Sequence, residues 1–121
     1  SLWLIDKEIL NSAGNLCKHL NGNLKHFIGH ILGETGYIRD RKAEFSIPHL
    51  SKAALNLEIA NTKEAINLAF DQLDTTKMQL KYPIEVLGYE MTIQYFLFHL
   101  LSHLNYHLGQ INYHRRLLDK P

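Results

Sequence analysis

Cysteine is nearly absent from this chain: its 121 residues include one, Cys17, together with one Trp and three Pro. A single cysteine forms no intrachain disulfide, and a lone thiol fits a reducing compartment, so the cytoplasm is the expected location. An excess of either charge is also missing, since 13 Lys+Arg stand against 12 Asp+Glu for a net +1. That balance gives no reason to expect nucleic acid as a partner. Long apolar runs are lacking as well. The most apolar stretch, Tyr95 to Leu104, is broken by His99, Ser102 and His103. It falls far short of the roughly 20 apolar residues a membrane span needs, so no membrane partner is expected. Ser1-Leu2-Trp3-Leu4-Ile5-Asp6 has neither the basic segment nor the apolar core of a secretion signal. The sequence holds no Gly-rich phosphate loop, no Ser/His/Asp pattern and no internal repeat.

Histidine is the residue in excess, with eight: His19, His26, His30, His49, His99, His103, His107 and His114. The chain is long enough to bury about two-thirds of its unfolded surface, so residues 1–121 are expected to form one domain with a core. Three segments carry a helical period and none carries the alternation of a strand, which predicts an all-α fold. The first runs from about Ser12 to Leu32, with Leu16, Leu20, Leu24, Phe27 and Ile31 on one face, and stops at Gly33-Glu34-Thr35-Gly36. The second starts near Pro48 and continues to about Thr75, and the third runs from Gly88 or Thr92 to Leu118. Residues Trp3 to Leu10 have room for a short helix only. The connections from Glu34 to Ile47 and from Thr76 to Leu87 are long for a minimal bundle, and long loops often carry function. Three long amphipathic helices leave apolar surface uncovered, so a fourth is expected from residues upstream of Ser1 or from a second copy of the chain.

The histidines fall in stripes. At about 100° per residue, His99, His103, His107, Gln110 and His114 share one sector of the third helix, bordering the Leu97/Leu100/Leu104/Leu108/Ile111/Leu118 face. His19, Asn23, His26 and His30 make a similar stripe on the first helix. The sharpest pair is His103 and His107, four residues apart, close enough to ligate one metal at about 2.0–2.1 Å. A third histidine from the facing stripe would complete a three-nitrogen site with an open position, the arrangement of catalytic metals. A zinc-protease site would need Glu directly after the first histidine, and that position is Leu104. His26, His30, His49 and His114 read as satisfied polar residues, and His99 as a residue at the core edge. Gln110 is a candidate to orient a ligand or contact substrate. Gly109 suggests a close helix contact or room for a ligand, and Gly22 and Gly29 close approach to a neighbouring helix. Cys17 reads as a small core hydrophobe, and Arg39, Arg41, Lys42, Arg115 and Arg116 as solvated surface.

The stretches His19-Leu20-Asn21-Gly22-Asn23-Leu24, Arg39-Asp40-Arg41-Lys42-Ala43-Glu44-Phe45 and His103-Leu104-Asn105-Tyr106-His107-Leu108-Gly109-Gln110-Ile111 resemble the DinB/YfiT-like metalloenzymes, in order and spacing. The resemblance implies an up-down-down-up four-helix bundle, often a homodimer, whose first helix would precede Ser1. It implies a divalent metal on His19, His103 and His107; the residue reading adds Gln110 and Asn23 as candidates to contact substrate or cofactor. Imidazole ligation suits zinc or nickel first, with iron and copper as further choices. The activity implied is a metal-dependent transferase using a low-molecular-weight thiol on a small-molecule substrate. The alternatives are a metal-dependent hydrolase, with His99 or Glu44 as candidate general base, and a non-catalytic, stress-related helical dimer.

Overall fold

The computed structural model describes residues 2–5, 11–46 and 50–118. Helix α1 spans Ala13–Leu24 and runs on into a π-helical stretch, Lys25–His30. A short α2 follows at Arg41–Ser46, then α3 at Lys52–Gln72 and α4 at Ile93–Leu118. The fold is an all-α bundle with three long helices, and the described residues hold no strand, only an isolated antiparallel bridge between Lys81 and Thr92. No described helix is long and apolar enough to cross a membrane.

Hydroxyl caps set the helix starts. Ser12 accepts the Asn15 amide at 3.1 Å to open α1, and Ser51 accepts the Ala54 amide at 3.0 Å to open α3. The second long helix therefore starts at Lys52 and not near Pro48, which lies outside the described residues along with Ile47 and His49. The short helix expected at Trp3 to Leu10 is absent at Trp3, Leu4 and Ile5, and its remainder is outside the described residues.

Pairs of contacts fix the helix directions. Asn21 meets Thr62, Gly29 lies against Ala65 and Gly33 against Ala69, so α1 with its π extension runs parallel to α3. Phe27 packs on Phe96 while His19 meets His103, so α4 runs antiparallel to α1. The three long helices thus follow the down-down-up part of the expected bundle. Parallel neighbours require the chain to travel back along the bundle, over about 27 Å for the 12 and 6 residues of α1 and its extension. That return is why the connection after Gly33 is long, and it carries α2 across the middle of α1. Asp40 caps α2 by accepting the Ala43 amide at 3.0 Å.

The π stretch has a packing consequence. Ile31 and Leu32 donate to His26 and Ile28, so the Phe27 carbonyl is passed over and accepts the Tyr82 hydroxyl instead. Tyr82 and Phe96, both 1% exposed, pack with tilted rings 4.3 Å apart in a core with Ile28, Ala69, Met91, Ile93 and Leu100.

The buried face of α4 differs from the one expected. Ile93, Phe96, Leu100 and His114 are buried and His103 and His107 half-buried, while Leu101 and Leu108 are 50% and 47% exposed. The histidine stripe is therefore the centre of the inward face, and the leucines flank it. Leu97, Leu101 and Leu104 instead line an open apolar groove of about 480 Å³ with Leu24, Ile66 and Phe70. The accessible surface is 8003 Å², against about 6,700 Å² expected for this mass, in line with that openness.

Candidate metal centre

Antiparallel packing of α1 on α4 brings His19 against the His103/His107 pair. His103 Nε2 stands 3.2 Å from His19 Nε2 and 3.1 Å from His107 Nε2. The donor atoms of the three residues lie within 4.8 Å of one another. The rings meet edge to face, with centroids 5.1 Å apart for His19 and His103 and 4.5 Å for His103 and His107. His19 is buried, and its ring also packs 5.0 Å from Phe45 of α2.

A second layer holds the outer nitrogens. His19 Nδ1 is 3.0 Å from Glu44 Oε1, and Arg39 grips the same carboxylate through Nε at 2.8 Å and Nη2 at 3.0 Å. Arg39 Nη2 is also 3.2 Å from His19 Nδ1, but it already donates to Oε1. An ionised carboxylate only accepts, so the His19 Nδ1 contact with Glu44 is an N–H donation and His19 is the Nδ1–H tautomer. His107 Nδ1 donates in the same way to Gln110 Oε1 at 2.6 Å. Helix α2 is pinned onto α1 by Lys18, which donates to the Ala43 carbonyl at 2.8 Å, and by Asn15, which donates to the Glu44 carbonyl at 3.2 Å. Gly22 makes room for the pairing: a Cβ there would lie 2.0 Å from Glu44 Oε2.

These tautomers direct two Nε2 lone pairs at His103 Nε2, which has at most one proton to share between them. His103 Nδ1 is buried with no partner among the described residues. Burial first, then the neighbouring His107 and His19, push His103 down to about 4, so it is uncharged at neutral pH. Burial pushes the Glu44 carboxyl up, but hydrogen bonds from His19 and Arg39 outweigh it and hold the group below its usual range. The donor set can hold a metal ion. Nitrogens at about 2.0–2.1 Å from one ion stand roughly 3.0–3.4 Å apart, and two of the three separations already have that spacing.

The other candidates are placed as follows. Gln110 touches His107, whereas Asn23 is buried with its Oδ1 unpartnered. His26 and His30 lie beside each other on the π stretch, centroids 6.1 Å apart, and outside the cluster. His30 accepts the Gly36 amide at 3.2 Å, as a satisfied polar residue should. His26 is not satisfied: its Nδ1 is buried without a partner, and burial and then Arg39 hold it below its usual range. His114, also expected to be satisfied, is 3% exposed with both ring nitrogens unpartnered. His99 stacks on Phe96 at 5.6 Å, half-buried. Gly109 makes no close helix contact, since nothing lies within 4 Å of a Cβ built there. Arg39 is not solvated surface, its side chain being 12% exposed in the Glu44 ion pair. Arg39 and Glu44 are the site residues whose placement the sequence reading missed. Their signal was Asp40, an N-cap residue that opens a short helix inside the supposed loop.

Histidines of two antiparallel helices thus converge in this bundle, steadied by a carboxylate from the crossing segment. The chain belongs to the family described as Protein of unknown function (DUF1572), a DinB-like family whose model matches residues 1–120. Comparison with curated proteins and with solved structures gives no match.

Proposed function

We propose that this chain binds one divalent cation through Nε2 of His19, His103 and His107 and acts as a metal-dependent transferase using a low-molecular-weight thiol. The observation that carries the reading is the convergence of three imidazole nitrogens with too few protons to satisfy one another. A bound divalent ion would act as a Lewis acid, favouring a thiolate at neutral pH. The chain's own residues orient and insulate. Glu44, held by Arg39, fixes the tautomer of His19, and Gln110 fixes that of His107. Burial keeps His103 unprotonated.

Two further observations bear on this reading, the first against hydrolysis and the second on the source of the thiol. Glu44 is already engaged by Arg39 and His19, which ill suits it to the role of general base. Cys17 lies half-buried, and burial, with Glu58 next, pushes its thiol up, so a reacting thiol is better supplied by a cofactor than by the chain. The reducing cytoplasm, a small-molecule substrate and a homodimer are part of this reading. Nickel and zinc are the first candidates for the ion, iron and copper the next.

The test is elemental analysis of untagged protein, with thermal melts on adding zinc or nickel. Stoichiometric metal and a raised melting temperature, lost in His107→Ala, are expected. Absence of both would refute the site. Turnover is then assayed with a small thiol and 1-chloro-2,4-dinitrobenzene. A metal-loaded protein inert toward thiol and electrophile pairs would leave the non-catalytic reading, and sedimentation reports whether it is a dimer.

A further inference from the structure

Helix α2 has six residues, well short of the roughly 12 an isolated helix needs to hold its shape in water, so it depends on what it docks against. Its last carbonyls have no partner within so short a helix. Two of them, on Ala43 and Glu44, accept from Lys18 and Asn15 of α1 at 2.8 and 3.2 Å. Of the six side chains, that of Glu44 is buried, that of Ala43 half-buried, and the other four belong to exposed residues. The group that seats α2 is therefore a carboxylate. The cost of burying it is offset by Arg39, just ahead of α2 in the chain, and by His19 of α1. Arg39 moves with the segment, whereas His19 belongs to the bundle. His19 is also the residue whose Nε2 faces His103 at 3.2 Å, while its Nδ1–H donates to Glu44 at 3.0 Å. One imidazole ring thus connects the seat of α2 to the histidine cluster.

We infer that docking of residues 39–46 on α1 is linked to occupancy of the three-histidine site, so that metal ligation closes the segment and the closed segment tightens the site. The coupling rests on the metal-site reading; the seating of α2 by Glu44 does not. An imidazole ligated through one nitrogen becomes a stronger donor through the other, so the bond from His19 to Glu44 gains strength only when the site is filled. Coupling of two equilibria is reciprocal, and whatever factor docking contributes to metal affinity, the metal returns to docking. Loss of a carboxylate that orients a ligating histidine costs about 10–100-fold in metal affinity, which sets the expected size. Gly22 offers a second way to unseat the segment with every ligand left in place, since a Cβ there would lie 2.0 Å from Glu44 Oε2.

The test compares wild type, Glu44→Ala and Gly22→Ala, each zinc-free and zinc-saturated. Zinc affinity is read by competition with a chelating indicator, and docking by amide hydrogen exchange in a peptide covering residues 41–46. In the wild type, zinc should slow exchange there by about 10–100-fold, a readout that needs no variant to fold. Each variant should bind one zinc more weakly by a similar factor, because reciprocity makes the slowing and the lost affinity equal in size. Zinc-saturated Glu44→Ala controls for general stabilisation: it keeps the ion and loses the connection, so exchange at 41–46 should stay fast. One zinc bound by the wild type with unchanged exchange at 41–46 overturns the coupling and leaves the metal site standing. Equal slowing in Glu44→Ala, or variant affinities equal to wild type, overturns it too. A wild type that binds no zinc refutes the metal site and the coupling together.

Discussion

Gly22→Ala is a small perturbation aimed at the network behind His19. The added methyl would lie 2.0 Å from Glu44 Oε2 and 2.7 Å from Cδ, far inside contact distance. Glu44 cannot yield cheaply, because its side chain is 6% exposed and bonded to Arg39 at 2.8 and 3.0 Å and to His19 at 3.0 Å. Overpacking of this kind costs about 1–3 kcal/mol, and displacing a buried carboxylate from its partners adds to it. Against that, Ala in place of Gly inside a helix gains about 1 kcal/mol. The clash wins, and a net loss of roughly 1–3 kcal/mol should lower the melting temperature by about 5–12 °C in a domain of this size. Gly109→Ala is the matched control. It lies exposed within α4 with nothing within 4 Å of the new Cβ, so only the propensity gain acts and stability should rise by up to about 1 kcal/mol. Thermal denaturation followed by circular dichroism of the two variants and wild type reads both signs. A Gly22→Ala melting temperature equal to or above wild type would refute the packing of Glu44 against α1.

Zinc- or nickel-linked stabilisation should vanish in His107→Ala and persist in His30→Ala, whose ring only accepts the Gly36 amide; thermal shift with and without metal checks it. Glu44 titrates below its unfolded value of about 4.3, so the stability it confers is present above that pH and is lost as pH falls through the lowered value. Glu44→Gln should therefore be less stable than wild type at pH 7, and urea melts should show the gap closing as pH falls below the ordinary carboxylate range. His103, lowered to about 4, works in a higher window. Between about pH 6.5 and 4 the unfolded chain binds a proton there that the folded one does not, so metal-free stability falls as pH falls. Urea melts of His103→Asn should decline less steeply across that window. Alkylation of Cys17 by iodoacetamide at pH 8 should be slower than that of a free thiol, since burial and then Glu58 raise its pKa.

Much of the architecture was legible locally. The Leu16/Leu20/Leu24 and Leu97/Leu100/Leu104 spacings declare helices, and Gly33 with its neighbours declares a stop, because helical period and chain punctuation are short-range. The Pro48 start was misjudged since Ser51, a better cap, competes for the same turn. The π stretch at Lys25–His30 has no comparable local signal. Its widened turn moves His26 and His30 off the 100° wheel that grouped them with His19.

The candidate site divides in the same way. Spacing alone pairs His103 with His107, and resemblance adds His19, all before any packing is known. Which leucines face inward on α4 was misread because periodicity finds a stripe but not what it packs against, and here Phe96 and the histidines occupy the centre. By itself, then, the sequence determined the long helices and the His103/His107 pair, all set by interactions within about four residues. Only the tertiary structure decided that Arg39 and Glu44 stand behind His19 and that Gly22 exists to admit them. Those facts depend on the parallel packing of α1 and α3, which forces the connecting chain back across the bundle and brings together residues 20 or more positions apart.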